Sequence, residues 1–393
     1  MKFFILGLLA ELPDRLTLRK TISRTRLKNL PSNPQTMDDL QRIPTDFRST
    51  LSGDNFLLYD TYEDEDYENE FGRIIIFATN ENLRNLFRSR IWFVDGTFSC
   101  APSIFFQVFA ILAAVSQPAA RGQVQTIGLP FVYALMETKQ EGAYRIVFQI
   151  IIQRAREINL EIAMPAIIMS DFELAIINAA RHLIGVESVR CCFFHLGQSI
   201  YRQVQSRGLQ IAYSNPDDRT IRDYVHMIIA LAFVPVESVE QCFLQIQNEI
   251  PADLLPVSQY FDETYVRGIP ARGRRRRLPP RYSPTLWNQY NSVLSQTART
   301  NNISEGYHNR LQVVIGKNHP SLYAFLVELK KEQSDSEIMI RQIQVGQKVK
   351  KGQDPKRKKR EEQIFQIVSR YQEYVDNNDV LTYLRSLGHN INL

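Results

Sequence analysis

The stretch Arg90-Ile91-Trp92-Phe93-Val94-Asp95-Gly96-Thr97-Phe98-Ser99-Cys100 decides how the rest of the chain is read. Four apolar residues, Ile91 to Val94, predict a short buried strand. The strand ends on Asp95. Gly96 reads as the start of a turn, and a second apolar run opens at Ile104. A carboxylate on such a strand end is held rigidly at the lip of a sheet. An Asp beside a Gly is more often turn chemistry than a functional group. Its meaning therefore depends on what the chain places next to it.

Upstream, Phe56–Tyr59 and Arg73–Ala78 are short strand-like runs. The acidic stretch between them, Asp60 to Glu70, reads as a solvated loop or hairpin tip. Thr79 or Asn80 is placed to cap a short helix through Phe87. Downstream, Phe105–Val115 and Leu129–Met136 are apolar with little alternation. They predict strands buried on both faces and, with the opening strand, an antiparallel meander. Tyr144, Val147, Phe148, Ile151, Ile152 and Ala155 then follow helical spacing from Glu141. Ala166–Ser170 is a further strand, and it too ends on an acid, Asp171. A helix carrying Ile176, Ile177, Ala180, Leu183 and Ile184 follows. Val189–His195 is a strand or strand end, and a helix runs from Gly197 to about Arg207.

Counted from the opening strand, the order is β-β-β-α-β-α-β-α. The crossovers make the later strands parallel neighbours. The strands ending in Asp95 and Asp171 can then lie side by side, with both carboxylates at one edge. This is the topology of the ribonuclease-H-like fold, an α/β mixed sheet flanked by helices. Beyond it the pattern turns helical. Residues 1–55 read as a helical and linker segment, and 56–208 as the first part of the core. Residues 209–298 read as a helical segment, and 299–346 as a helix that Ser304 can cap, with its packing helix. Residues 347–393 read as a basic, loose linker with C-terminal helices.

The chain has 393 residues, 44% hydrophobic and 23% charged, enough for a sizeable core. Its formal net charge of +5 permits nucleic acid without demanding it. The charge is segregated: Arg272, Arg274, Arg275, Arg276 and Arg277 form one basic run, and Lys348 to Arg360 another. The first suits phosphate contact, the second a phosphate-binding tail or a nuclear-import signal. Four cysteines, Cys100, Cys191, Cys192 and Cys242, suggest no disulfide framework. Phe3–Ala10 is too short for a membrane span and lacks a small-residue cleavage site after it. Phe3–Leu12 is expected to be a helix fragment, and no membrane partner is expected.

Phosphodiester cleavage and strand transfer use divalent cations held by carboxylates on rigid elements. Asp95 and Asp171 are the strand-end candidates, and Glu305, in the first turn of a helix, is a third. Glu173 reads as a first-turn acid favoured by the helix dipole, with a supporting role at the site open to it. His308 and Asn309 follow Glu305 at helical spacing. Cys192-x-x-His195 supplies two zinc-ligand types without a second pair at useful spacing, so a buried Cys and a hydrogen-bonded His fit better.

Several segments, in order, carry a resemblance. They are Trp92–Phe98, Pro130–Lys139, Ser170–Glu173, Cys192–Gln198, Leu286–Tyr290 and Arg299–Asn309. Over roughly residues 12 to 335 the chain resembles the transposases of Mutator-like elements, within the DDE superfamily. The resemblance implies a ribonuclease-H-like core with a helical insertion before the last catalytic helix. It implies an Asp-Asp-Glu set of Asp95, Asp171 and Glu305 holding two Mg²⁺ or Mn²⁺ ions, and a structural or DNA-contact role for Cys192 and His195. The partners implied are DNA, both element terminal repeats and target, in the nucleus, with room for a homo-oligomer. Relatives of this type often carry an N-terminal zinc finger of the FLYWCH kind. No Cys or His precedes Phe56 here, so no such finger is read in this sequence. A catalytically silent, transposase-derived DNA-binding or regulatory protein stays open as the alternative.

Overall fold

Seven apolar runs become the strands of one sheet: β1 Leu57–Asp60, β2 Ile74–Phe77, β3 Ile91–Thr97, β4 Gln107–Pro118, β5 Val124–Met136, β6 Ile167–Ser170 and β7 Val189–Cys191. They lie in the order β1-β2-β5-β4-β3-β6-β7. The computed structural model describes residues 30–68, 70–118, 124–185, 188–271, 273, 276–295, 302–350 and 355–391. Within these, the side chains of Val124, Asn302 and Glu305 lie outside the description. The expected meander is present as β3-β4-β5, paired antiparallel throughout. β6 then pairs parallel with β3, and β7 parallel with β6. The two strand-like runs upstream add β1 and β2 antiparallel on the far side of β5.

The helices follow as α1 Asn80–Arg88, α2 Glu141–Glu157, α3 Leu174–Ile184, α4 Phe193–Ser206, α5 Gln210–Tyr213, α6 Thr220–Ala230, α7 Val239–Glu249 and α8 Leu255–Phe261. They continue as α9 Pro284–Trp287, α10 Tyr290–Leu294, α11 Asn302–Ile315, α12 Leu322–Gln344, α13 Pro355–Ser369, α14 Tyr371–Asp376 and α15 Val380–Gly388. The α1 start is capped as the sequence indicates, with Thr79 Oγ1 accepting from Asn82 N at 3.0 Å. Ser304 is not a cap, because α11 begins two residues before it at Asn302. Likewise His195 is not at a strand end. β7 stops at Cys191, Cys192 is the N-cap of α4, and His195 falls in that helix's first turn.

Strand periodicity sorts the core into two layers. Trp92, Val94, Phe109 and Ile111 face α2, against Tyr144, Val147, Phe148 and Ile151. Phe93, Val108, Ala110 and Leu112 face the other way, against Tyr307 and Leu311 of α11 and Phe325, Leu326 and Leu329 of α12. By the same alternation Asp95 belongs to the α11 face. Gly96 is not a turn residue: β3 continues through Thr97, paired with β4. Its missing Cβ makes room instead. A Cβ there would sit 2.2 Å from Gln107 Oε1.

Between α4 and α11 the elements among the described residues are helices, with an irregular stretch from Arg267 to Ser283. The C-terminal helices pack into that layer, with Tyr383, Leu384 and Leu387 fully buried in the same core as Phe233 and Ile229. His226 Nδ1 lies 2.8 Å from Gly388 O, and the Tyr383 hydroxyl donates to Phe233 O. The basic run expected to be loose is helical from Pro355 onward. The segment before β1 is also more than a linker. Leu40, Ile43 and Phe47 are buried, and Arg73 donates to the carbonyls of Leu40 and Gln41 while pairing with buried Asp60 at 2.7 Å. Asp60 therefore leaves the solvated acidic loop and becomes the partner that holds this arginine in the interior.

Candidate active site

The register of β3 on β6 pairs Ile91 with Ile167, Trp92 with Ile168 and Phe93 with Met169. Continued two residues, it sets Asp95 level with Asp171. Parallel strands run about 4.8 Å apart, so two matched acids on them become neighbours. The electrostatics agree. Asp171 has its carboxyl pushed up from 3.8 to about 7, first by burial, then by the charge of Asp95, then by that of Glu173. Asp95 itself is buried, at 8% exposure. A buried and a half-buried carboxylate that repel each other would be relieved by a shared cation, and hard oxygen donors suit Mg²⁺ or Mn²⁺. The donor set present therefore fits such an ion. Among the described residues no group of three or more His, Cys, Asp or Glu side chains is spaced to hold a metal by itself.

The elements around the pair hold it rigidly. The Asp171 turn is fixed from within by Glu173 N donating to Asp171 Oδ1 at 3.3 Å. From outside, Tyr282 donates to Phe172 O at 2.6 Å, with its ring 4.9 Å from that of Phe172. Tyr265 packs on Phe172 as well, at 5.6 Å. The helical layer thus grips the residue that follows the second acid. On the α2 side Gln107 Nε2 donates to Tyr144 at 2.7 Å, and Tyr144 donates to Glu173 Oε1 at 2.8 Å. The space that Gly96 leaves open is what admits Gln107. Burial raises the Glu173 carboxyl, while Tyr144 and Lys139 lower it and the charge of Asp95 raises it.

On the α11 side, His308 Nδ1 lies 3.4 Å from Asp95 Oδ2. Glu305 sits one turn earlier on the same helix, and its side chain lies outside the described residues. α11 lies close over β5 because Gly128 has no side chain: a Cβ there would meet Ile303 Cγ2 at 1.8 Å. Cys192 is buried beside the pair's strand, its N–H donating to Ser170 O at 2.9 Å. His195 is near enough to feel the charge of Asp95, although burial dominates and lowers its pKa. Asn309 follows His308 on α11. Of the basic loop, Arg276 and Arg277 are exposed, and Arg277 Nε donates to Arg267 O at 3.1 Å. Arg272, Arg274 and Arg275 lie outside the described residues.

Gln107, Tyr144, Lys139 and Tyr282 escape a reading of the sequence. Gln107 carries one faint signal, a polar residue inside a long apolar run. Lys139 ends one of the motif segments. Tyr144 passes as an ordinary core position of an amphipathic helix, and nothing local marks Tyr282.

Residues 91–199 match the family model described as the MULE transposase domain. This span runs from the start of β3 to the first half of α4, and so contains both aspartates, Glu173 and the Cys192–His195 turn. No curated protein matches the chain, and no solved structure does.

Proposed function

We propose that this chain, which carries a MULE transposase domain at residues 91–199, cleaves DNA and transfers its strands with Asp95, Asp171 and Glu305 as the acid set. The observation that carries the reading is the mutually repelling pair of Asp95 on β3 and Asp171 just past the end of β6, which the parallel register continued two residues sets level. Glu305 joins them by its place on α11, the helix that brings His308 to Asp95. These three residues would hold two Mg²⁺ or Mn²⁺ ions. Such ions, when bound, activate the attacking hydroxyl and stabilise the leaving oxygen.

The chain's own part is to position and to exclude. Burial of Asp95 and partial burial of Asp171 limit the screening of their charge by water, which strengthens cation attraction. With its carboxyl near 7, Asp171 would have to release a proton to hold a cation. His308 Nδ1 beside Asp95 Oδ2 orients that carboxylate. Glu173, held by Tyr144, adds negative charge behind the pair without competing for its place. The DNA backbone, from element ends or target, would be met by basic side chains such as Arg276 and Arg277 in the nucleus.

The test is metal-dependent nicking of supercoiled DNA. Asp95→Asn should abolish it while the protein stays folded, as its circular dichroism would show. Undiminished nicking by that variant contradicts the reading. Wild-type protein that binds DNA without metal and nicks none of it supports a silent, transposase-derived DNA-binding protein instead.

A further inference from the structure

The loop from Phe98 to Phe106 joins β3 to β4 at the edge where Asp95 and Asp171 lie. Most of it is packed inward. Cys100 and Ala101 are fully buried, and Phe105 is nearly so. Its backbone is tied to the α11–α12 connection by His319 N donating to Ser99 O at 2.9 Å, and its Ser99 hydroxyl donates to Gln312 Oε1 of α11 at 2.8 Å. From this anchored loop two large rings are turned outward, Phe98 at 43% exposure and Phe106 at 45%. Single exposed apolar side chains are ordinary. These two are packed on each other, ring centroids 5.2 Å apart and near perpendicular at 75°. Exposed Lys139 stands over both, its Nζ 5.8 Å from one centroid and 5.7 Å from the other.

The sheet explains why the three residues meet. β3 and β5 run the same way, and β4 runs opposite between them. The end of β3, the start of β4 and the end of β5 therefore share one edge. Phe98 follows the first, Phe106 precedes the second and Lys139 lies just past the third. The same edge holds the acids, and the Lys139 charge reaches Glu173.

We propose that Phe98, Phe106 and Lys139 form a binding platform for an unpaired nucleobase of DNA, next to the phosphodiester that the acids address. The rings offer π-faces on which any base can stack, which makes the contact tolerant of sequence. The ammonium offers the adjoining phosphate a counter-charge beside an otherwise acidic site. An anchored loop keeps the rings in place at little entropic cost on binding. A duplex keeps its bases stacked on one another, so the platform discriminates for a frayed or single-stranded end. This inference rests on the DNA-acting reading above, and its readout is binding rather than cleavage.

The experiment measures affinity of the full chain for a single-stranded oligonucleotide and for its duplex, by fluorescence anisotropy in EDTA at fixed salt. Phe98→Ala and Phe106→Ala should each weaken single-strand binding about ten-fold and leave duplex binding within about two-fold. Phe98→Leu, similar in apolar area but without a π-face, should fall with Phe98→Ala, and Phe98→Trp should hold at wild-type affinity. Lys139→Ala should reduce the salt slope of single-strand binding by about 0.7. Wild-type affinity in Phe98→Leu overturns the proposal. So does an equal loss for single strand and duplex, or wild-type protein that does not bind the single strand. Nicking in Mg²⁺, run separately on wild type, keeps the two readings apart. Ring-dependent binding without nicking removes the enzyme and leaves the platform, and nicking without ring-dependent binding does the reverse.

Discussion

Asp171 is the residue at which the site's electrostatics are most exposed to measurement. Its carboxyl is raised from 3.8 to about 7, so the folded protein holds that proton to higher pH than the unfolded chain does. The stability this confers is full below about pH 4 and is lost as pH rises through about 7. Asp171→Asn removes the titration. Without divalent cations the variant should match wild type near pH 4 and exceed it by about 2 kcal/mol near pH 8, a shift of this size being discounted for partial solvent access. Melting curves across that range check the sign. A gap that stays constant with pH would contradict it. Gly96 makes a second test at this scale. Gly96→Ala puts a Cβ 2.2 Å from Gln107 Oε1, which should displace the Gln107–Tyr144–Glu173 chain and cost about 1–3 kcal/mol in urea unfolding. Adding Gln107→Ala to that variant should recover part of the loss, since it removes the clash.

Elements were legible in proportion to how local their cause is. Thr79 as a cap, the apolar runs of β3 to β6 and the stripe of α2 are written in neighbouring residues, and each element is present, although β3 runs on past Asp95 to Thr97 and β5 starts at Val124 rather than Leu129. The parallel pairing that levels Asp95 with Asp171 followed from connection rules once the order was known. The structure departs from the sequence pattern at Ser304 and His195 because helix starts depend on backbone geometry that residue type only weakly biases. It departs at Gly96 for a similar reason: the role of that glycine is a contact with Gln107 across the sheet, and no local turn signal reveals that. The approach of α11 is the element-level feature with most consequence for the site. Ile303 packs into the space above Gly128. Gly128→Ala should push the start of α11 outward and reduce metal-dependent nicking roughly ten-fold through misplacement of its residues. Ile303→Ala added to that variant should restore activity. Loss without rescue would mean that α11 is not positioned by this contact.

At the scale of the molecule, the sheet and the helical layer meet at Phe172, where Tyr265 and Tyr282 grip the turn after Asp171. The helical layer in turn is closed by the C-terminal helices, which bury Tyr383, Leu384 and Leu387. None of this was readable from residues in order, because each contact joins segments about a hundred residues apart or more. Leu387→Ala should cost about 3 kcal/mol of stability by leaving a cavity in that layer. Chemical unfolding followed beside nicking at low denaturant would show whether the sheet and its acids survive when the layer loosens. Separate transitions would make the two parts independent folding units, whereas a single shared transition fits the grip at Phe172. No helix among the described residues is long and apolar enough to cross a membrane.

The central claim is that Asp95 and Asp171 are brought level in order to share cations. Direct titration of Mn²⁺ into wild type, Asp95→Asn and Asp171→Asn, read by calorimetry without DNA, tests it most closely. Two ions should bind wild type, with Asp171→Asn losing one and Asp95→Asn losing high-affinity binding altogether. Mn²⁺ affinity and stoichiometry that are the same in all three proteins would contradict the account.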